Sequence, residues 1–304
     1  MLKKLKKLKK LKNIKKLILS LLKLREDKAY LDFLRRGFLV YSELSKNANI
    51  KSIIFESDYS IISLVDGRNF YFNPLSKIDM LYSVPQIGTF ELKETEIVEG
   101  LVKEGDYCLD IGASFGWYTT LLSKKVGKDG KVFSFEPIKQ NYLSHEKNLE
   151  LNECYNVTSN NLAVGETKGK IDIYLSDIDT SGSLKLRGYK KNFEVQKTEV
   201  IRLDDYFEQN NIQKLDFIKI DIEGAELGAF KGCVNILNQF KPILFVEIQR
   251  HSTELFGYEP IDIFNFLYDL GYGSYIINNH KLISFDFKEP LNEYNFFFMH
   301  KDKC

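Results

Sequence analysis

Two short runs hold most of the side chains able to do chemistry. The first is Asp110-Ile111-Gly112-Ala113-Ser114-Phe115-Gly116, and the second is Lys219-Ile220-Asp221-Ile222-Glu223-Gly224-Ala225-Glu226. The first continues an apolar run from Tyr107 that reads as a strand, turns through Gly112 and Gly116, and enters a helix at Trp117. A strand, a glycine turn and a helix N-terminus let backbone come very close to a ligand. In the second run, period-two alternation puts Phe217, Lys219, Asp221 and Glu223 on one side and the isoleucines on the other. Isolated buried charges are costly, so this lysine and these acids need partners. Two arrangements meet that need. Lys219 pairs with a carboxylate while Glu223 and Glu226 serve the N-terminus of the next helix, or Asp221 and Glu223 face a reacting molecule.

The elements that must position these runs alternate between strand and helix. Lys131–Phe135 reads as a strand ending at Glu136-Pro137, Tyr142–Leu151 as a helix, and Val157–Val164 as a strand. Residues 170–202 read as further strands with a flexible tip at 179–183, followed by a short helix over Leu203–Gln209. Leu215–Ile222 is a strand, Ala225–Asn238 a helix, Ile243–Ile248 a strand and Pro260–Leu270 a helix. Tyr275–Ile277 and Tyr294–Met299 are closing strands. Repeated strand–helix alternation predicts an α/β fold, a parallel sheet with helices on both faces. Ligands of such sheets bind outside the carboxyl ends of the strands. That rule selects Asp110 with the Gly112 turn, Glu136, the Asn161–Val164 end, Asp221 with Glu223, and Glu247 with Gln249 and His251.

Glu136 follows Gly116 by twenty residues and ends the second strand. A carboxylate there can take both hydrogen bonds from a ribose diol; with Pro137 next, it can equally be the capping acid of the following helix. The glycine turn separates cofactors. A dinucleotide site uses Gly-x-Gly-x-x-Gly to bring backbone onto a pyrophosphate. Here there are two glycines, and Asp110 precedes the first by two residues. A negative Asp110 is poorly placed beside phosphates and well placed for a cationic amino-acid end. The pattern favours S-adenosylmethionine over NAD, with an NAD-type oxidoreductase as the rival on the same sheet.

Residues 1–25 contain ten lysines, Arg25 and no acid, so against a net charge of +1 for all 304 residues the remainder carries −10. An acidic body does not fit a general nucleic-acid binder. The tail starts as a Lys-Lys-Leu repeat whose apolar stripe spirals around a helix; from Ile14 the spacing becomes amphipathic. It fits either a peripheral contact with an anionic membrane surface or a solvated tail leading to a packing helix. No run of eighteen apolar residues occurs, and no signal-peptide cleavage pattern follows the apolar part. Cys108, Cys154, Cys233 and Cys304 form no CxxC and no zinc spacing, which predicts reduced thiols and a cytoplasmic setting. Residues 29–48 read as helix. Three strand-like runs in 52–74, with a hairpin at Asp66-Gly67, read as a small leader, and 90–102 as a helix. The expected division is a basic tail over 1–28, an α+β leader over 29–100 and the main domain over 101–304.

Taken together, the runs Leu109–Thr119, Phe133–Pro137, Asn161–Gly165, Arg202–Tyr206, Ile218–Glu226 and Lys241–Ile248 resemble the FkbM-type S-adenosylmethionine-dependent methyltransferases in order and spacing. Ser114 stands where that family often has Asn. The resemblance covers residues 90–275 and implies a class I methyltransferase (Rossmann-like) sheet with an antiparallel last strand. It also implies methyl transfer to an oxygen, often a hydroxyl of a sugar, glycan or secondary metabolite. The cofactor-binding set is then Asp110, Gly112, Ala113, Ser114, Gly116, Glu136, Asn161 and Ala163. Asp221 is the first candidate for general base and Glu223 the second, followed by Glu247 and His251. The clustered carboxylates could instead hold a divalent cation, although they form no defined ligand motif. A non-catalytic, membrane-docked member of a glycan-synthesis complex is the alternative that the basic tail allows. Neither the acceptor nor the oligomeric state is legible.

Overall fold

The computed structural model of the protein describes residues 46–55, 59–72, 87, 90–176, 179–183 and 193–303. The basic tail over 1–28 and most of the helix expected over 29–48 lie outside them; its described end, residues 46–48, is turn rather than helix. Among the described residues no helix is long and apolar enough to cross a membrane.

The described part of the leader holds an antiparallel meander of β1 (Ile50–Phe55), β2 (Ser60–Leu64) and β3 (Asn69–Phe72). The Asp66-Gly67 hairpin forms as expected. Gly67 takes φ 93°, and the Asp66 carboxylate accepts from the backbone N–H and Nε of Arg68 at 2.9 and 2.8 Å. Arg68 then anchors the leader to the main domain. Its guanidinium lies 4.2 Å from the centroid of the Trp117 ring and donates to the Trp117 carbonyl at 2.8 Å. Phe70 stacks on the same indole at 5.4 Å. A helix, α1 (Leu92–Leu101), connects the leader to the main sheet.

The main domain then runs β4 (Tyr107–Ile111), α2 (Trp117–Val126), β5 (Lys131–Phe135), α3 (Lys139–Leu151) and β6 (Val157–Asn160). Four strands follow: β7 (Ala163–Val164), β8 (Gly169–Ser176), β9 (Asp179–Ser183) and β10 (Phe193–Ile201), the last leading to α4 (Leu203–Gln209). Next come β11 (Phe217–Ile220), α5 (Glu226–Lys231), α6 (Val234–Phe240), β12 (Ile243–Glu247), α7 (Arg250–Leu255) and α8 (Pro260–Asp269). The chain closes with β13 (Tyr272–Asn278), β14 (Lys281–Ser284) and β15 (Asn295–His300).

Eight strands form the main sheet in the order β14-β13-β15-β12-β11-β4-β5-β6. From β6 to β12 all neighbours are parallel, and β15 runs antiparallel to both β12 and β13. The order reverses between β4 and β11, so a crevice opens at their carboxyl ends. Alternation along the strands feeds two cores. Leu109, Ile111, Ile218, Ile220, Leu244 and Val246 point to one face, against α4, α5, α6 and α8. Cys108, Phe217, Phe245 and Phe297 point to the other, against α1, α2 and the leader sheet. The Phe245–Phe297 rings stack across strands at 4.7 Å, each buried ring contributing about 1.5–3 kcal/mol.

Three expected elements differ. The single strand over 157–164 is two: β6 stays in the main sheet, and β7 pairs with β10 in a second sheet. The switch falls at Asn161, whose side-chain amide donates to the carbonyls of Glu136 and Pro137 at 2.7 and 3.1 Å. The flexible tip over 179–183 is strand β9, paired with β8. The helix over 225–238 breaks into α5 and α6 at Gly232-Cys233. A Cβ on Gly232 would lie 2.1 Å from the Gly165 carbonyl oxygen, so the backbone passes where no continuous helix with side chains fits.

Candidate functional site

A cavity of about 350 Å³ opens at the carboxyl ends of β4, β5 and β11. Asp110, Gly112, Ala113, Ser114, Glu136 and Ala163 line one part of it; Asp221 and Glu223 line another. Gly116 and Asn161 are not among the lining residues. Gly116 caps α2 at φ 96°, where a Cβ would lie 3.0 Å from the His145 ring. Asn161 instead braces the Glu136-Pro137 turn, as described above. His251 is exposed on α7 and does not line the cavity, whereas Glu247 and Gln249 do.

The Gly112 turn is shaped by backbone conformations that most residues avoid. Gly112 has φ 85°, and a Cβ there would lie 1.8 Å from the Asp221 carbonyl oxygen. Ser114 also adopts a left-handed φ of 49°. The Glu136 carboxylate secures it: Oε2 accepts from the Ser114 N–H and Oε1 from the Ile138 N–H, both at 2.8 Å. Glu136 therefore ties β5 to the Gly112 turn whatever else it binds. Burial pushes its carboxyl up to about 7, against the opposing hydrogen bonds from Ile138 and Ser114.

Asp110 is fully buried. Thr119 donates to its Oδ2 at 2.5 Å, while Oδ1 is buried without a partner. Behind Thr119, Nε2 of His145 lies 3.0 Å from the hydroxyl, and the Ser159 hydroxyl lies 3.2 Å from Nδ1. With Thr119 donating forward to Asp110, His145 must donate from Nε2 and accept at Nδ1. This is a neutral imidazole, in keeping with burial lowering its pKa to about 4.

Lys219 sits beside Asp110 in register on the neighbouring strand. Its Nζ lies 3.2 Å from Asp221 Oδ2 and 5.3 Å from the centroid of the Tyr118 ring. Burial pulls its pKa down, but Asp221, Asp110 and Glu91 more than offset this and hold it above the ordinary lysine value. Glu247 shares a hydrogen bond with Asp221, and burial followed by that neighbouring charge pushes it up to about 9. Glu223 accepts from the Ser252 hydroxyl at 3.2 Å. Glu226 turns away from the cavity and ties the turn, accepting from the N–H groups of Ile222 and Gly224 at 3.1 and 3.0 Å. Both arrangements considered for the second run thus coexist: a Lys219–Asp221 pair, with Asp221 and Glu223 still lining the cavity.

Glu91, like His145, had no signal in the sequence. Glu91, just before α1, reaches the cavity in a left-handed conformation (φ 42°, ψ 48°), and Tyr118 donates to its Oε2 at 2.6 Å. Nothing in its local pattern distinguishes it from Glu94 or Glu96; only packing of the leader on α2 brings it in. Among the described residues, no group of three or more His, Cys, Asp or Glu is placed to hold a metal ion.

Strand order, the antiparallel β15 and a crevice closed by a glycine turn define a class I methyltransferase architecture. Residues 110–273 match the family described as the Methyltransferase FkbM domain, and the chain belongs to that family. Among curated proteins it is 22% identical over 191 residues to "Methyltransferase 1" of Beauveria bassiana, covering 56% of this chain and 74% of that one. It is 25% identical over 174 residues to the "Hexuronic acid methyltransferase AglP" of Haloferax volcanii, covering 56% and 66% respectively. Among solved structures it is similar to a methyltransferase FkbM from Methylobacillus flagellatus, with 20% identity and a TM-score of 0.44. That match covers 66% of this chain and spans 45% of the length of that protein.

Proposed function

We propose that the protein is an S-adenosylmethionine-dependent O-methyltransferase that methylates a hydroxyl of a sugar, glycan or secondary metabolite. One observation carries this reading: Asp110, the Gly112 turn and Glu136 share a single cavity with Asp221 and Glu223. The residues fit the cofactor on three counts. Asp110 Oδ1 offers a buried, unmet acceptor to a cationic group. Gly112 lets the donor turn close against Asp221 without a side chain between them. Glu136 has lone pairs beyond the two taken by Ser114 and Ile138, available to a diol.

When bound, S-adenosylmethionine supplies an electrophilic methyl group on a sulfonium. The chain's own residues do the rest. Asp110 would orient its ammonium end and Glu136 its ribose, with Ala113, Ser114 and Ala163 forming the adjoining walls. Gly116 lets α2 begin beside His145, and Asn161 fixes the Pro137 turn. Asp221 takes the acceptor hydroxyl proton, with Glu223 as the second carboxylate of the same turn. Holding the acceptor oxygen in line with the methyl accounts for most of the acceleration. The relative named a hexuronic acid methyltransferase supports a sugar as the acceptor, as does the density of carboxylates able to hold hydroxyls.

Calorimetry of S-adenosylmethionine with the full chain is the first test, with micromolar binding expected; absence of binding overturns the proposal. Mass spectra of surface glycans and small metabolites with and without the gene should then show one species losing a methyl-sized mass.

A further inference from the structure

We propose that His145 is a positioning residue for the cofactor: acting through Thr119, it holds Asp110 with one carboxylate oxygen committed and the other, Oδ1, left for the amino-acid end of S-adenosylmethionine. The inference rests on the methyl-transfer reading above and adds to that same site a residue that touches neither cofactor nor acceptor. Neither His145 nor Thr119 lines the cavity, so their effect on a ligand must pass through Asp110, which does.

The direction in which Thr119 donates is the first argument. A helical threonine commonly turns its hydroxyl back onto the carbonyl one turn earlier. Thr120, the next residue of α2, does so, donating to the Gly116 carbonyl at 2.8 Å. Thr119 does not. The side-chain amide of Asn148 already donates to the carbonyl one turn behind it, that of Phe115, at 2.8 Å, and the Thr119 hydroxyl donates to Asp110 at 2.5 Å. His145 supplies what this direction needs. Its Nε2, 3.0 Å away, donates to the Thr119 oxygen and leaves the single hydroxyl proton for Asp110. His145 and Asn148 lie three residues apart on α3, so one helix face sets both contacts. Ser159 on β6 fixes the ring, donating to Nδ1 at 3.2 Å, while Glu146 lies 4.0 Å from that nitrogen, beyond hydrogen-bond reach.

The room made for the ring is the second argument. Gly116 does not line the cavity, yet a Cβ there would stand 3.0 Å from His145 Cδ2. The second glycine of the turn therefore clears space for the imidazole. His145, Thr119 and Asp110 are all buried, and a buried imidazole is costly unless its nitrogens are bonded, as both are here. The consequence falls on Asp110. Burial raises its carboxyl, and the Thr119 hydrogen bond works against that rise. Without this donor neither carboxylate oxygen would have a hydrogen-bond partner, and the group would take up a proton more readily and lose its attraction for an ammonium. Asp110 Oδ1 would still be buried, but no longer presented as the free oxygen of a fixed, charged carboxylate.

The test is calorimetry of the full chain with two ligands: S-adenosylhomocysteine, and methylthioadenosine, which keeps the nucleoside and lacks the amino-acid end. His145→Leu should weaken the first about tenfold and leave the second within about twofold. His145→Gln, whose amide can donate to Thr119, should restore S-adenosylhomocysteine binding to within about threefold of wild type. That arm decides alone if methylthioadenosine binds too weakly to measure. Thr119→Val should match His145→Leu, and the double variant should bind no more weakly than Thr119→Val. Should His145→Leu melt below the assay temperature, His145→Phe, a flat ring with no donor, gives the same comparison. S-adenosylhomocysteine binding unmoved by His145→Leu overturns the inference, as does equal weakening of both ligands, or a His145→Gln protein as weak as His145→Leu. Wild type that binds S-adenosylhomocysteine no more tightly than methylthioadenosine overturns it too, yet leaves the methyltransferase reading standing. A chain that binds neither ligand loses both.

Discussion

A Cβ on Gly112 would stand 1.8 Å from the carbonyl oxygen of Asp221, so the Gly112 turn and the turn after β11 meet backbone to backbone. The obstacle is a carbonyl, which cannot swing aside as a side-chain tip can, and φ 85° adds strain for any L side chain. Gly112→Ala should therefore push the two turns apart. The expected cost is about 2–4 kcal/mol of stability, with S-adenosylmethionine affinity falling on the order of a hundredfold. Gly100 is the control. It lies within α1 with nothing within 4 Å of where a Cβ would stand, so Gly100→Ala should stabilise by about 0.5–1 kcal/mol. Urea titration with calorimetry checks both; a Gly112→Ala protein that binds the cofactor normally counts against the close approach.

Glu136 titrates near 7 because it is buried, and a ribose diol binds best to its ionised form. Cofactor affinity should rise as pH increases from 6 to 8, by roughly tenfold, since a group of pKa about 7 is mostly protonated at pH 6. Glu136→Gln should bind more weakly and lose that pH dependence. Calorimetry at three pH values decides it, and a wild-type affinity flat across the range argues against Glu136 as the diol acceptor.

The gathering of Asp110, Gly112 and Glu136 at one cavity was legible because it follows from local pattern. Asp110, Gly112 and Glu136 are placed by the strand period and by the rule that ligands gather at carboxyl strand ends. Asp221 and Glu223 were legible for the same reason, although their dual role as ion-pair partner and wall was not. Glu91 and His145 were out of reach. One arrives through packing of the leader on α2, the other through a helix face that looks no different from its exposed neighbours. The change of sheet at Asn161 escaped as well: 157–164 has strand composition throughout, and only the Pro137 turn shows where pairing passes from β5 to β10.

Glu226 makes a prediction about stability rather than binding. Burial raises its carboxyl to about 7 from an ordinary value near 4.5, against the opposing N–H donors. The folded state then holds a proton that the unfolded state has released. The stability tied to this group is complete below about pH 4.5 and is lost as pH rises through about 7. The swing is on the order of 3 kcal/mol. Glu226→Gln should remove it, so that the variant gains on wild type between pH 4 and pH 9. Chemical denaturation across that range measures the difference; parallel curves for the two proteins would contradict the assignment.

Lys219 is the cation on which the acidic wall depends. Asp221, Asp110 and Glu91 all act on it, and it lowers the pKa of Asp110 and Glu91 in return. Removing one partner of a buried pair leaves the other charge uncompensated, at a cost of about 3–5 kcal/mol. Lys219→Met should therefore be strongly destabilised at pH 8. Asp110 and Glu91, already raised by burial, would rise further without the lysine and take up protons more readily. Raised carboxyls give stability at low pH that disappears as pH climbs through their folded values. The loss in Lys219→Met should accordingly shrink toward pH 5, with wild type and variant drawing together in denaturation midpoint. A deficit of constant size from pH 5 to pH 8 would mean that Lys219 contributes packing over the Tyr118 ring rather than charge compensation.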